Sequence, residues 1–123
     1  MLVLGKLKSK MNLNLNNKKF VNAKNTSNGE VSHETIFNYY QVGERIEATY
    51  SGGSITNGHL LGLMTSEKTF TMAYHHINEM NELRIGECNT EIQIQANGKI
   101  KLIENWQWRN GDCSTGESIL VEV

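Results

Sequence analysis

The chain has 123 residues, 38% of them hydrophobic, with 11 glycines, no proline and two cysteines. That is the length of one domain with one core. A formal net charge of −1, and no run near the ~20 apolar residues that span a bilayer, argue against nucleic-acid and membrane partners. With no apolar segment of a secretory signal at the start, the expected location is cytoplasmic. Cys88 and Cys113, which lack CxxC spacing, are then expected to stay free thiols.

Residues 1–24 carry six lysines and no acid, whereas residues 25–123 hold six bases against 13 acids. The basic start has no arginine or aromatic for base stacking, and Leu13-Asn14-Leu15-Asn16-Asn17 is low in complexity. Residues 1–17 therefore read as a flexible basic leader, with Met11 as an alternative start, and residues 18–123 as a single domain.

From Lys19 onward, Asn and Gly mark the turns: Asn28-Gly29, Gly52-Gly53, Asn97-Gly98 and Asn110-Gly111. Asn-Gly supplies the positive φ angles that tight hairpins need. Between the marks, runs rich in Val, Ile, Thr, Tyr, Phe and Trp alternate with a period of two, and no helical period intervenes. The first strand is expected over 19–25. The second, 30–41, puts Val31, His33, Thr35, Phe37 and Tyr39 on an inner face against Ser32, Glu34 and Asn38. The third, 45–51, does the same with Ile46, Ala48 and Tyr50.

The fourth strand, 54–63, contains Asn57-Gly58 only a few residues after Gly53, which reads as a bulge or a close backbone approach within the strand. The fifth, 68–77, turns Phe70, Met72, Tyr74 and His76 inward. His75 and His76 then point to opposite faces, and no Cys or Asp completes a ligand set, so no metal is expected. In the sixth, 82–95, Leu83, Ile85 and Glu87 compete with Gly86, Cys88, Thr90 and Ile92 for the inner face. The seventh, 99–109, aligns Ile100, Leu102, Glu104, Trp106 and Trp108. The eighth, 114–123, like the fourth and sixth, does not settle its own inner face.

About eight strands joined by short loops form a meander, and an all-β meander of this size closes most economically into a single up-and-down antiparallel β-barrel, with a flattened sandwich as the alternative. Such a barrel leaves room for packed side chains or one small ligand. Because successive strands reverse direction, one end collects His33, Tyr50, Tyr74, His76, Trp106 and Trp108. The other collects Phe37, Tyr39, Ile46, Phe70, Ile100 and Leu102 and reads as plugged. Inward hydroxyl, imidazole and carboxylate groups are costly in a dry core unless hydrogen-bonded. Glu104 stands out, because Glu is almost never buried without a partner and its neighbours on that face are bulky and apolar.

The stretches Thr49-Tyr50-Ser51-Gly52-Gly53, Asn57-Gly58-His59-Leu60-Leu61-Gly62, Met72-Ala73-Tyr74-His75 and Glu104-Asn105-Trp106-Gln107-Trp108, closing with Gly116-Glu117-Ser118, resemble a family of short bacterial proteins often labelled N-acetylglutamate synthase. The resemblance covers roughly residues 18–123. It implies a small closed barrel of the calycin or lipocalin kind, with Tyr50, Tyr74, Glu104, Trp106 and Trp108 as motif positions. Acetyl transfer itself is not expected from the residues. Gln41-Val42-Gly43-Glu44-Arg45-Ile46 is not the Gly-rich turn opening a helix that cradles a coenzyme pyrophosphate.

Three functions stay open. In the first, a small organic ligand stacks on Trp106 and Trp108 and is oriented by Glu104 and Tyr74, with Tyr39, Tyr50 and His76 completing the binding set. In the second, the same pocket is catalytic, with Glu104 as general acid or base and Tyr74 or His76 as proton partner. In the third, the inward polar groups satisfy one another in the filled core of a structural or partner-binding barrel. No cofactor is expected, the partner is a small molecule of unspecified identity, and nothing in the sequence fixes the oligomeric state.

Overall fold

The computed structural model describes residues 13–123. Eight strands follow in order: β1 (Lys18–Asn25), β2 (Ile36–Val42), β3 (Arg45–Gly52), β4 (Ile55–Met64), β5 (Thr69–Asn78), β6 (Leu83–Ile94), β7 (Ile100–Trp108) and β8 (Thr115–Glu122). Each pairs antiparallel with the next and β8 returns to β1, giving the closed up-and-down barrel that the meander predicts. Closure leaves no free edge, so every strand has a hydrogen-bonding partner on both sides. Among the described residues no helix is long and apolar enough to cross a membrane.

Strand alternation sorts the side chains as expected and settles the undecided strands. On β6 the inner set is Gly86, Cys88, Thr90 and Ile92, while Leu83, Ile85 and Glu87 face out. On β8 the inner residues are Ser118 and Leu120. On β4, Asn57-Gly58 is not a turn. The β4–β5 register shifts between Ile55 and Asn57, and the backbone at Gly58 lies against the Tyr50 ring opposite it. Both features anticipated for that dipeptide are present.

One end of the barrel is filled. Phe20 and Tyr39 meet edge-to-face with centroids 5.2 Å apart, Tyr39 meets Phe70 at 6.4 Å, and Ile46, Ile92, Ile100, Leu102 and Leu120 close around them. Leu15, within the 1–17 segment read from sequence as a leader, has no exposed surface and packs into this floor. Its amide donates to Gln41 Oε1 at 2.9 Å, and the Asn17 amide donates to the Tyr39 carbonyl at 2.9 Å, so residues 13–17 strap the floor. The remainder of the leader, 1–12, lies outside the described residues.

The second strand differs from expectation. It starts at Ile36 and not at residue 30, because Ser32 and Thr35 divert the chain. The Thr35 amide donates to the Ser32 carbonyl at 2.9 Å, the Ser32 amide to Thr35 Oγ1, and the Glu34 amide to Ser32 Oγ. Local bonds of this kind compete with a sheet ladder. Two corrections follow. His33 is exposed on the loop, and Phe37 belongs to the open end, stacked on Tyr50 at 4.8 Å, not to the plug. Pairing of β1 with β2 stops at Val21 and Ile36. Beyond that point the loop of residues 26–35 lies over the open end.

Candidate functional site

Small residues make room for large ones at the open end. Tyr50, Tyr74 and Trp106 lie across the sheet from Gly58, Gly86 and Gly116. A Cβ at any of these glycines would overlap the facing ring. Each aromatic therefore folds over a bare stretch of neighbouring backbone, which fixes its tilt.

The result is a cavity of about 50 Å³. Its aromatic wall runs from Phe37 and Tyr50 through His76 to Trp108, with Tyr74 and Trp106 each 5.5–5.8 Å from Trp108, centroid to centroid. Leu60, Met72 and Cys88 complete the apolar lining, and Glu104 with Ser118 supplies the polar part. Asn25, Gly29, Glu30 and Val31 form the roof.

Glu104 is 5% exposed. Ser118 Oγ donates to its Oε1 at 2.7 Å, while Oε2 is buried with no partner among the described residues. Burial raises its pKa to about 7, and the Ser118 hydrogen bond restrains the rise. Near neutral pH the group is thus divided between carboxylate and acid, able to accept from a guest or donate to it.

His76, 1% exposed, links two partners. Its Nε2 lies 2.8 Å from Glu30 Oε1 and its Nδ1 3.0 Å from the Tyr50 hydroxyl. The neutral tautomer with a proton on Nε2 satisfies both, donating to Glu30 and accepting from Tyr50. Burial lowers the His76 pKa, against the pull of Glu30, which agrees with that neutral form. Burial also raises the phenol pKa values of Tyr39, Tyr50 and Tyr74, so all three stay protonated hydroxyls.

Of the residues singled out from sequence, Tyr50, Tyr74, His76, Glu104, Trp106 and Trp108 line this one cavity. Tyr39 does not. It sits in the floor, its buried hydroxyl without a partner among the described residues, and after burial itself Glu104 is the leading influence on it. Sequence reasoning missed Glu30, Asn78 and Arg84, which meet at the mouth. Arg84 stacks over the Trp108 ring at 4.0 Å, on a strand whose faces alternation left undecided. Among the described residues no group of three or more His, Cys, Asp or Glu is placed to hold a metal. Cys88 is buried and Cys113 exposed, both free.

A family model for avidin-like proteins matches residues 13–123. The chain belongs to the avidin-like protein family. The match begins before Leu15 and includes the floor strap as well as all eight strands. It supports the calycin-type small barrel implied by the sequence resemblance, while nothing supports the N-acetylglutamate synthase label. No curated protein and no solved structure matches this avidin-like chain.

Proposed function

We propose that this avidin-like barrel binds a small organic molecule at its open end, with the guest's body against Tyr74, Trp106 and Trp108 and a polar tip on Glu104. The observation that carries the reading is the unpartnered Glu104 Oε2. A buried carboxylate oxygen without a hydrogen bond costs on the order of 1–3 kcal/mol, and a guest's N–H or O–H would recover that. Rigid amphipathic rings around one polar group suit a compact, partly apolar and planar ligand.

Size adds a condition. The cavity of about 50 Å³ is smaller than the ~150 Å³ void that takes benzene. A larger guest enters only when the loop of residues 26–35 moves. Tryptophan fluorescence against a panel of small metabolites tests the reading, with biotin included because small ligands such as biotin are bound within the family. A saturable quench or shift, weakened about tenfold by Glu104→Gln, is expected. A panel without any response would count against a binding site and favour a purely structural core.

The pKa of about 7 at Glu104 also suits a general acid or base, which keeps an enzymatic reading in view. His76 has both ring nitrogens engaged and burial holds Tyr74 as a protonated phenol, so in that case Glu104 itself would carry the proton transfer. Once a guest is known, its conversion by the wild type and loss of turnover with retained binding in Glu104→Gln would establish catalysis. An unchanged guest would leave binding alone.

A further inference from the structure

The loop over the mouth brings a carboxylate of its own. Glu30 Oε1 accepts from His76 Nε2 at 2.8 Å, Oε2 accepts from Arg84 Nη1 at 2.7 Å, and Asn78 Nδ2 lies 3.4 Å from both oxygens. Three donors from β5 and β6 thus converge on a single carboxylate. All three are held in place by groups other than Glu30. His76 is bonded to Tyr50 at its far nitrogen, and the Arg84 guanidinium carbon sits over the Trp108 ring. Asn78 donates to Glu82 Oε1 at 2.8 Å and accepts from the Met80 and Glu82 amides through Oδ1. The cradle is built into the barrel wall, whereas its occupant sits on a loop outside the strands.

Glu30 does not use every donor in the cradle. It engages the guanidinium through Nη1, and Arg84 Nε, on the other side of the group, is buried with no partner among the described residues. The loop is pinned at its ends, Thr26 to Glu117 and Thr35 Oγ1 to the Gly52 carbonyl. Between them its ties are Asn25 Nδ2 to the Val31 carbonyl, Ser54 Oγ to the Glu30 carbonyl, Trp108 Nε1 to the Asn28 carbonyl, and the Asn28 amide group to Ser114 and Thr115.

We infer that His76, Asn78 and Arg84 form a receptor for the carboxylate of a small organic acid, that Glu30 occupies it as an internal stand-in, and that an incoming carboxylate displaces Glu30 and lifts the 26–35 loop. Exchange is favoured over simple opening because withdrawal of Glu30 alone would strand a largely buried guanidinium without a counter-ion. Glu30 borders the cavity, so an acid seated there projects its body toward Trp108 and Tyr74. In that respect the inference deepens the proposed binding function and rests on it, but occupancy of the cradle stands by itself.

The experiment vacates the cradle with Glu30→Ala and titrates acetate, with acetamide and chloride as controls at matched ionic strength. The thermal midpoint and tryptophan emission report together, since Arg84 stacks on Trp108. Acetate should raise the midpoint saturably in Glu30→Ala, should act on wild type only at concentrations at least about tenfold higher, and should have no effect on Glu30→Ala/Arg84→Gln. Equal effects of acetate, acetamide and chloride, or no saturable effect, would overturn the inference. Should Glu30→Ala fail to fold, Glu30→Gln keeps the side-chain volume. Benzoate should perturb its emission at about tenfold lower concentration than wild type, and equal concentrations would overturn the inference. Acetate reports on the cradle without filling the Glu104 cavity. A response here with a silent metabolite panel would refute only the cavity reading, and the converse only the anion receptor.

Discussion

Glu104 sets the pH behaviour of the barrel. Its pKa rises from 4.5 to about 7 on folding, so the unfolded chain gives up this proton more readily than the native one. The native state is therefore favoured below pH 4.5, and this contribution is lost as pH climbs through 7. The full span is on the order of 3 kcal/mol. Glu104→Gln cannot ionise, so its stability relative to wild type should rise by that order between pH 4.5 and pH 8 in urea melts. A constant difference would show that the carboxyl does not titrate as described. Glu104 and the two tryptophans were legible in the sequence because a period of two places them on one face. Glu30 and Arg84 were not. Their ion pair joins positions 54 apart, one on a loop that read as a strand, and no local pattern encodes such a pairing.

At the scale of strands, the aromatic wall depends on pairing each large ring with an inward glycine. Gly58→Ala would drive a methyl group into the Tyr50 ring, and overpacking of this kind costs about 1–3 kcal/mol. The measurement is the chemical-denaturation midpoint, which should fall while the barrel's circular dichroism is retained. Unchanged stability would mean that the ring moves aside freely. The Asn57-Gly58 dipeptide was readable as a bulge because it came too soon after Gly53 to be another hairpin. The start of β2 was not readable, since Val31, His33 and Thr35 alternate correctly while Ser32 and Thr35 close a turn on themselves. Periodicity reports which faces a strand would have, and hydrogen bonds decide whether the strand forms.

Over the whole molecule, a closed ring of eight strands has one filled end and one lidded end. The filled end includes Leu15, so Leu15→Ala should cost about 2–5 kcal/mol, read as a lower thermal midpoint. A loss below about 0.5 kcal/mol, usual for a surface site, would mean that the strap does not pack in solution. Barrel closure followed from strand number and turn spacing. The strap was hidden by its composition, in which isolated leucines among asparagines look the same whether they fray or dock. The lidded end holds the cavity, where an apolar wall meets the Glu104 Oε2 that nothing in the described chain satisfies.

A ligand-observed NMR screen of small fragments, run in parallel on wild type and Glu104→Gln at neutral pH, reads that oxygen's role in one comparison. Planar fragments bearing an N–H or O–H donor should show saturation transfer from the wild-type barrel and lose most of it with the variant. Donor-bearing fragments that fail to bind wild type, or bind both proteins equally, would contradict a guest site built around Glu104.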